Sequence, residues 1–187
     1  MPREANLSNA KGTVVIEAVK ALLAHRDRAL PLLGEKLAHY LDDRIVLASW
    51  YPVEDYTGIL RVMARVSPPG PISACEKMGR DAARSHMSGT YSRLAKSSDR
   101  KAAVTLSSSM YDSGEMKVVE REAGHAVWEL SGFATPSREI CETFTGYQAE
   151  RMLLMGFEDV SVRHTRCRAT GAANCLWDLT WKGRDAE

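Results

Sequence analysis

Apolar positions recur every three or four residues through the first half of the chain and at every second residue through much of the rest, so helices are expected before strands. Thr13 can cap a first helix whose apolar positions are Val15, Val19, Leu22 and Leu23. Pro31, a good first-turn residue, starts a second that carries Leu33, Leu37, Tyr40 and Leu41. Trp50-Tyr51-Pro52 leads into a third helix, Val53 to Val66, with Tyr56, Ile59, Leu60 and Met63 on one face. Ser67-Pro-Pro-Gly-Pro71 is a rigid turn, too short for a domain linker. A long helical segment follows, from about Ile72 to Lys96, with Cys75, Gly79, Ala82, Ala83, His86 and Thr90 in one stripe. Side chains that small admit a second element at close range or leave space for something else. A further helix is predicted from about Asp99 to Tyr111, ending at Asp112-Ser-Gly114.

The period then changes from helical to two. Met116 to Glu120 and His125 to Leu130 flank Ala123-Gly124, a β-hairpin pattern. Ser137 can cap a helix running to Met155, which Gly156 would end. A second hairpin follows. In its first strand His164 shares a face with Val160 and Val162, and in its second Cys175 shares one with Trp177 and Trp181. The predicted fold class is therefore α+β, with N-terminal helices packed on a four-stranded antiparallel sheet in β-β-α-β-β order.

Composition narrows the function more than the fold. The chain has 187 residues, 44% hydrophobic and 26% charged, which suits one globular domain, expected over residues 12–183 behind a mobile tail of residues 1–11. Its 25 basic and 24 acidic residues leave a net charge of +1, so no overall field favours nucleic acid. The absence of a bilayer-length apolar run argues against membrane insertion. Four cysteines without a signal-peptide pattern suggest a reduced, cytoplasmic protein rather than a disulfide framework. Phosphate-binding glycine loops and the Gly-x-Ser-x-Gly elbow are missing, and no residue set nominates an enzyme.

The chemistry concentrates in the second hairpin. Gly171 and Asn174 allow the chain to reverse between its strands, bringing His164, Cys167 and Cys175 to one end of the sheet. Sulfur and imidazole converging there form a metal-ligand set for which zinc is the usual occupant. Cys141, near the start of the preceding helix, is the candidate fourth ligand. The resulting Cys-x22-His-x2-Cys-x7-Cys spacing also fits another reading, in which the cysteines pack as small hydrophobes and His164 is simply exposed.

Cys141-Glu-Thr-Phe-Thr-Gly146-Tyr147, followed by His164-Thr-Arg-Cys167-x7-Cys175-Leu-Trp, resembles the 4-vinyl reductase domain. This is a small-molecule-binding module of aromatic-responsive transcriptional activators and bacteriochlorophyll-biosynthesis proteins. Its wider group includes haem-nitric-oxide-binding domains and Golgi-transport complex subunits. The whole chain, including Trp50-Tyr-Pro and Tyr111-Asp-Ser-Gly114, is also similar to stand-alone myxobacterial proteins of like length. In the activators three cysteines and an acidic residue hold a structural zinc; the resemblance matches the cysteines to Cys141, Cys167 and Cys175 and puts His164 at the acidic position. It also implies an aromatic-lined pocket between helices and sheet, near the zinc, and a homodimer. The Tyr-x-Ser-x-Arg motif of haem-binding members is missing, since Tyr91-Ser-Arg93 lacks the spacing.

Polar handles among apolar and aromatic residues mark candidate ligand contacts at Trp50, Tyr56, His86, Tyr91, Met110, Tyr111 and Trp128. Each aromatic fits ordinary core packing as well. The expected function is a non-catalytic sensory module that binds a small apolar or aromatic molecule, carries a structural zinc and signals through a protein partner. Two alternatives stay open: an interaction or scaffolding protein with no small ligand, and an enzyme acting on a tetrapyrrole or vinyl group.

Overall fold

The predicted switch from helix to strand occurs near residue 114. The computed structural model describes residues 8–89, 92–95 and 109–183. Its helices are α1 (Gly12–Leu23), α2 (Arg26–Ala38), α3 (Val53–Val66), α4 (Ala74–Ser88), the short α5 (Ser92–Ala95) and α6 (Arg138–Leu154). Strands β3 (Glu115–Glu122), β4 (His125–Ser131), β5 (Phe157–Arg166) and β6 (Cys175–Gly183) form one antiparallel sheet in the order β3-β4-β6-β5. The fold is α+β, with α6 between the two hairpins in sequence.

The N-terminal segment departs from expectation. Asn9–Lys11 form strand β1, paired antiparallel with β2 (Trp50–Pro52), and Ser8 is buried, so the expected mobile tail does not extend through residue 11. Thr13 is not a cap: it lies inside α1 and its hydroxyl donates to the Leu47 carbonyl at 3.2 Å. Pro31 lies inside α2 rather than at its start, and the helix breaks at Gly34, whose φ of 63° only glycine adopts at little cost. The long segment from Ile72 stops at Ser88, and the helix expected over 99–111 lies mostly outside the described residues.

Two caps match their sequence signals. The Ser73 hydroxyl accepts from the Glu76 amide at 3.0 Å at the start of α4, in the Ser-x-x-Glu arrangement of a capping box. Ser137 accepts from the Ile140 amide at the start of α6.

The buried residues fall into a helical cluster around Leu22, Tyr56, Ile59 and Leu60 and a sheet cluster around Trp128, Trp177 and Leu179. Helix α6 packs between them, and its approach to α4 is set by glycine. A Cβ on Gly79 would sit 2.0 Å from the Thr143 carbonyl oxygen, and one on Gly146 would sit 1.9 Å from that of Glu76. Backbone meets backbone at both points, so neither obstacle can rotate away. Gly146→Ala should therefore destabilise the protein by about 3 kcal/mol, the upper end of ordinary overpacking costs. Thermal unfolding would show this as a Tm lower by roughly 6–12 °C; an unchanged Tm would contradict the close crossing.

Candidate metal centre and adjoining cavity

Strand pairing places most of the metal candidates. On the inner face of the sheet, Val118, Trp128, Trp177 and His164 form one cross-strand row, and Met116, Leu130 and Cys175 form the next. The predicted alternation is therefore observed, with His164 and Cys175 both on the face that packs against α6. His164 and Cys167, three positions apart, would face opposite sides of a regular strand. The pairing slips between His164 and Arg166, and this bulge turns the chain so that both reach the same point. Beyond it, the carbonyl of Cys167 accepts from the amides of Thr170 and Ala172 in a tight turn that Gly171 closes with φ 97°.

Cys141 reaches the same point from the first turn of α6. The ligand atoms of Cys141, His164, Cys167 and Cys175 all lie within 4.8 Å of one another. The sulfurs of Cys141 and Cys175 are 3.7 Å apart, far beyond a disulfide bond and near the edge of a tetrahedron with metal–sulfur bonds of 2.3 Å, about 3.8 Å. The three cysteines are buried and unpaired, while His164 is half-buried and stacks on Trp177 with ring centroids 4.6 Å apart. The His164 Nε2 atom is buried without a hydrogen-bond partner, so the imidazole has a nitrogen to give to a metal. No other group of potential metal ligands occurs among the described residues.

The electrostatics favour thiolate at one sulfur. The Cys175 thiol is pushed down to about 4, chiefly by the hydrogen bond from Cys141, with His164 and the Arg168 amide (3.3 Å) also favouring its charge against the opposing effect of burial. Cys141 is pushed up because it supplies that proton and faces the resulting charge. A cation entering this site would displace the proton and relieve the repulsion between sulfurs. Four protein ligands would leave no position for water or substrate, so such an ion is structural.

A cavity of about 80 Å³ adjoins the cluster, between the sheet, α4 and α6. Cys141 and Cys175 belong to its wall as well as to the cluster. Of the residues predicted as ligand contacts, Tyr56, His86, Met110 and Tyr111 line it. Trp128 does not: it is buried in the sheet cluster, with its ring centroid 6.2 Å from that of Phe144. Trp50 is 44% exposed on the β1–β2 ribbon, where strand alternation turns it outward and Lys11 covers its ring at 4.0 Å. Tyr91 lies outside the described residues.

The sequence reading missed Phe144, Tyr147 and Gln148, three neighbours on α6 that also line the cavity. The signal for Gln148 was its place seven residues, about two turns, beyond Cys141, which puts a polar amide on the stripe that carries a metal candidate. Inside the cavity wall, His86 Nδ1 lies 3.3 Å from the Tyr147 hydroxyl. Burial pushes the His86 imidazole below its ordinary value, and burial pushes the Tyr147 phenol up to about 12, so both are neutral near pH 7.

No family model matches the sequence, and no curated protein does. Solved structures do. The chain is similar to an H-NOX protein from S. oneidensis in its Fe(II)NO state, at 15% identity and a TM-score of 0.62, covering 92% of this chain and 99% of that one. It is similar to a mutant Fe(II) unliganded H-NOX protein from K. algicida at 10% identity and a TM-score of 0.64, covering 92% and 97%. A third structure, described by heme redox potential and porphyrin distortion, aligns at 13% identity and a TM-score of 0.62, covering 95% and 97%. At these identities the likeness is one of fold, and the chain has the fold of H-NOX domains.

Haem does not fit the described residues. A space of about 80 Å³ is far below the 300–1,000 Å³ of drug-sized sites and cannot hold a porphyrin. The described lining includes no Lys or Arg to meet two propionates. Titration with haemin should therefore give no stoichiometric Soret band; a sharp one-to-one endpoint would show that the cavity opens around a porphyrin.

Proposed function

We propose that the chain is a non-catalytic, ligand-binding sensory module of the 4-vinyl reductase kind, with one domain over residues 12–183. Cys141, His164, Cys167 and Cys175 hold a structural zinc, and a small apolar or aromatic molecule occupies the adjoining cavity. The observation that carries this reading is the shared wall: Cys141 and Cys175 belong to both the ligand cluster and the cavity. A zinc ion there would fasten the β5–β6 hairpin to the start of α6 and fix one side of the ligand's container. Occupancy of the cavity would then bear on α6, which spans both layers, and the output would pass to a protein partner through a homodimer, as the resembled activators do.

The size of the cavity supports a second reading, an interaction protein whose pocket is closed by its own side chains. It also weighs against an enzyme for a tetrapyrrole. Native mass spectrometry of freshly purified protein separates these: a co-purifying small molecule supports the sensor, and an empty protomer bound to a protein partner supports the scaffold.

The metal has its own test. Elemental analysis should find one zinc per chain. Cys175→Ser should abolish metal binding and lower stability by several kcal/mol, because forming such a site is coupled to folding. Cys75→Ser should leave the metal content unchanged, since Cys75 is buried in the helical cluster away from the site. A Cys175→Ser protein with full zinc and wild-type melting would remove the proposal.

A further inference from the structure

Most polar atoms in the cavity wall already have partners. The Ser113 hydroxyl pairs with that of Ser8 at 2.6 Å, Thr143 donates to the Glu139 carbonyl at 2.9 Å, and Tyr147 meets His86. Ser137 is engaged by Glu139 and the Ile140 amide. Two lining residues carry a side-chain oxygen buried without a hydrogen bond, Tyr56 at its hydroxyl and Gln148 at Oε1. Tyr56 has the hydroxyls of Tyr111 and Thr143 beside it, so a small rotation satisfies it. Gln148, only 3% exposed, is the polar point left over in a wall whose described residues include no Asp, Glu, Lys or Arg.

An orphaned buried carbonyl is costly, and an occupant that pairs with it recovers that cost. The occupant is uncharged, because the described lining offers no Asp, Glu, Lys or Arg as a counter-ion and its cysteine sulfurs belong to the metal cluster. It is also small. At roughly 10–15 Å³ per water, the cavity holds about five to eight waters, the bulk of a single ring with a short substituent. A side-chain amide can turn either its oxygen or its NH2 group toward the space, and a hydroxyl, both donor and acceptor, pairs with either.

We infer that the cavity selects a small uncharged alcohol, with its apolar body against Met78, Phe144 and Trp177 and its hydroxyl on the side-chain amide of Gln148. This rests on the ligand-binding reading above and adds the residue that orients the ligand. The alternative is that Gln148 merely holds a buried water, in which case a hydroxyl on the ligand gains nothing.

The test is a matched pair of equal heavy-atom count, benzyl alcohol and ethylbenzene, titrated by calorimetry into the purified full chain. Benzyl alcohol should bind about tenfold more tightly, the worth of one net hydrogen bond. Gln148→Met, close in volume, should erase that preference while holding ethylbenzene affinity within about threefold, and Tyr56→Phe should preserve the preference. The ligand-free Gln148→Met protein should keep or raise its Tm, because an unpaired buried acceptor has been removed. A purely structural role for Gln148 would instead lower the Tm and weaken both ligands alike. Equal wild-type affinity for the two probes, or tighter ethylbenzene, overturns the Gln148 assignment and leaves the ligand-binding reading standing. Binding of neither overturns both.

Discussion

Helix α6 can serve two layers because two glycines let its backbone touch that of α4. With Gly79 against the Thr143 carbonyl and Gly146 against that of Glu76, there is no room for the helix to rotate or slide by a side chain's width. That contact fixes what the rest of α6 presents. Cys141 falls at the end of the second hairpin, and Thr145 accepts the Trp177 indole N–H at 3.0 Å. Phe144, Tyr147 and Gln148 fall on the cavity. The helix is therefore a common wall to the metal cluster and the cavity.

The fold is that of H-NOX domains, and the space between α6 and the sheet is narrow. The aromatic rings of Phe144 and Trp177 approach to 4.5 Å and, with the sulfur of Cys141, narrow the region between α6 and the sheet. What stays open is small and mostly apolar, with no Asp, Glu, Lys or Arg in its described lining and the Gln148 amide oxygen unsatisfied. The second hairpin carries the remaining specialisation, since the bulge after His164 brings an imidazole and a thiol from alternate strand positions to a single point. A strand without that bulge would leave Cys167 on the solvent face.

Much of this was legible in the chain. The periodicity change near residue 114, the two hairpins and the helix between Ser137 and Gly156 are local signals, and they appear where the pattern puts them. The convergence of His164, Cys167 and Cys175 was legible too, because a hairpin turning at Gly171 and Asn174 brings them to one end of the sheet. Other features depend on contacts distant in sequence. Asn9–Lys11 become a strand only by pairing with Trp50–Pro52, some forty residues on, so a polar N-terminus looked mobile. Trp50 reads as a pocket aromatic by residue type, yet the same pairing turns it to solvent. The cavity needs α4, α6 and the sheet at once, so helical spacing could set Gln148 on the Cys141 stripe but not show that Tyr147 and Gln148 face a cavity.

In the proposed function, three thiols and one imidazole of this chain act as a single metal site that joins the hairpin, α6 and the cavity. Zinc K-edge X-ray absorption on the purified protein addresses it most directly, because it reads ligand type and distance at the ion itself. Such a site gives a four-coordinate shell of three sulfurs at about 2.3 Å and one nitrogen at about 2.0–2.1 Å. A shell of oxygen and nitrogen alone, or of two sulfurs or fewer, would contradict it.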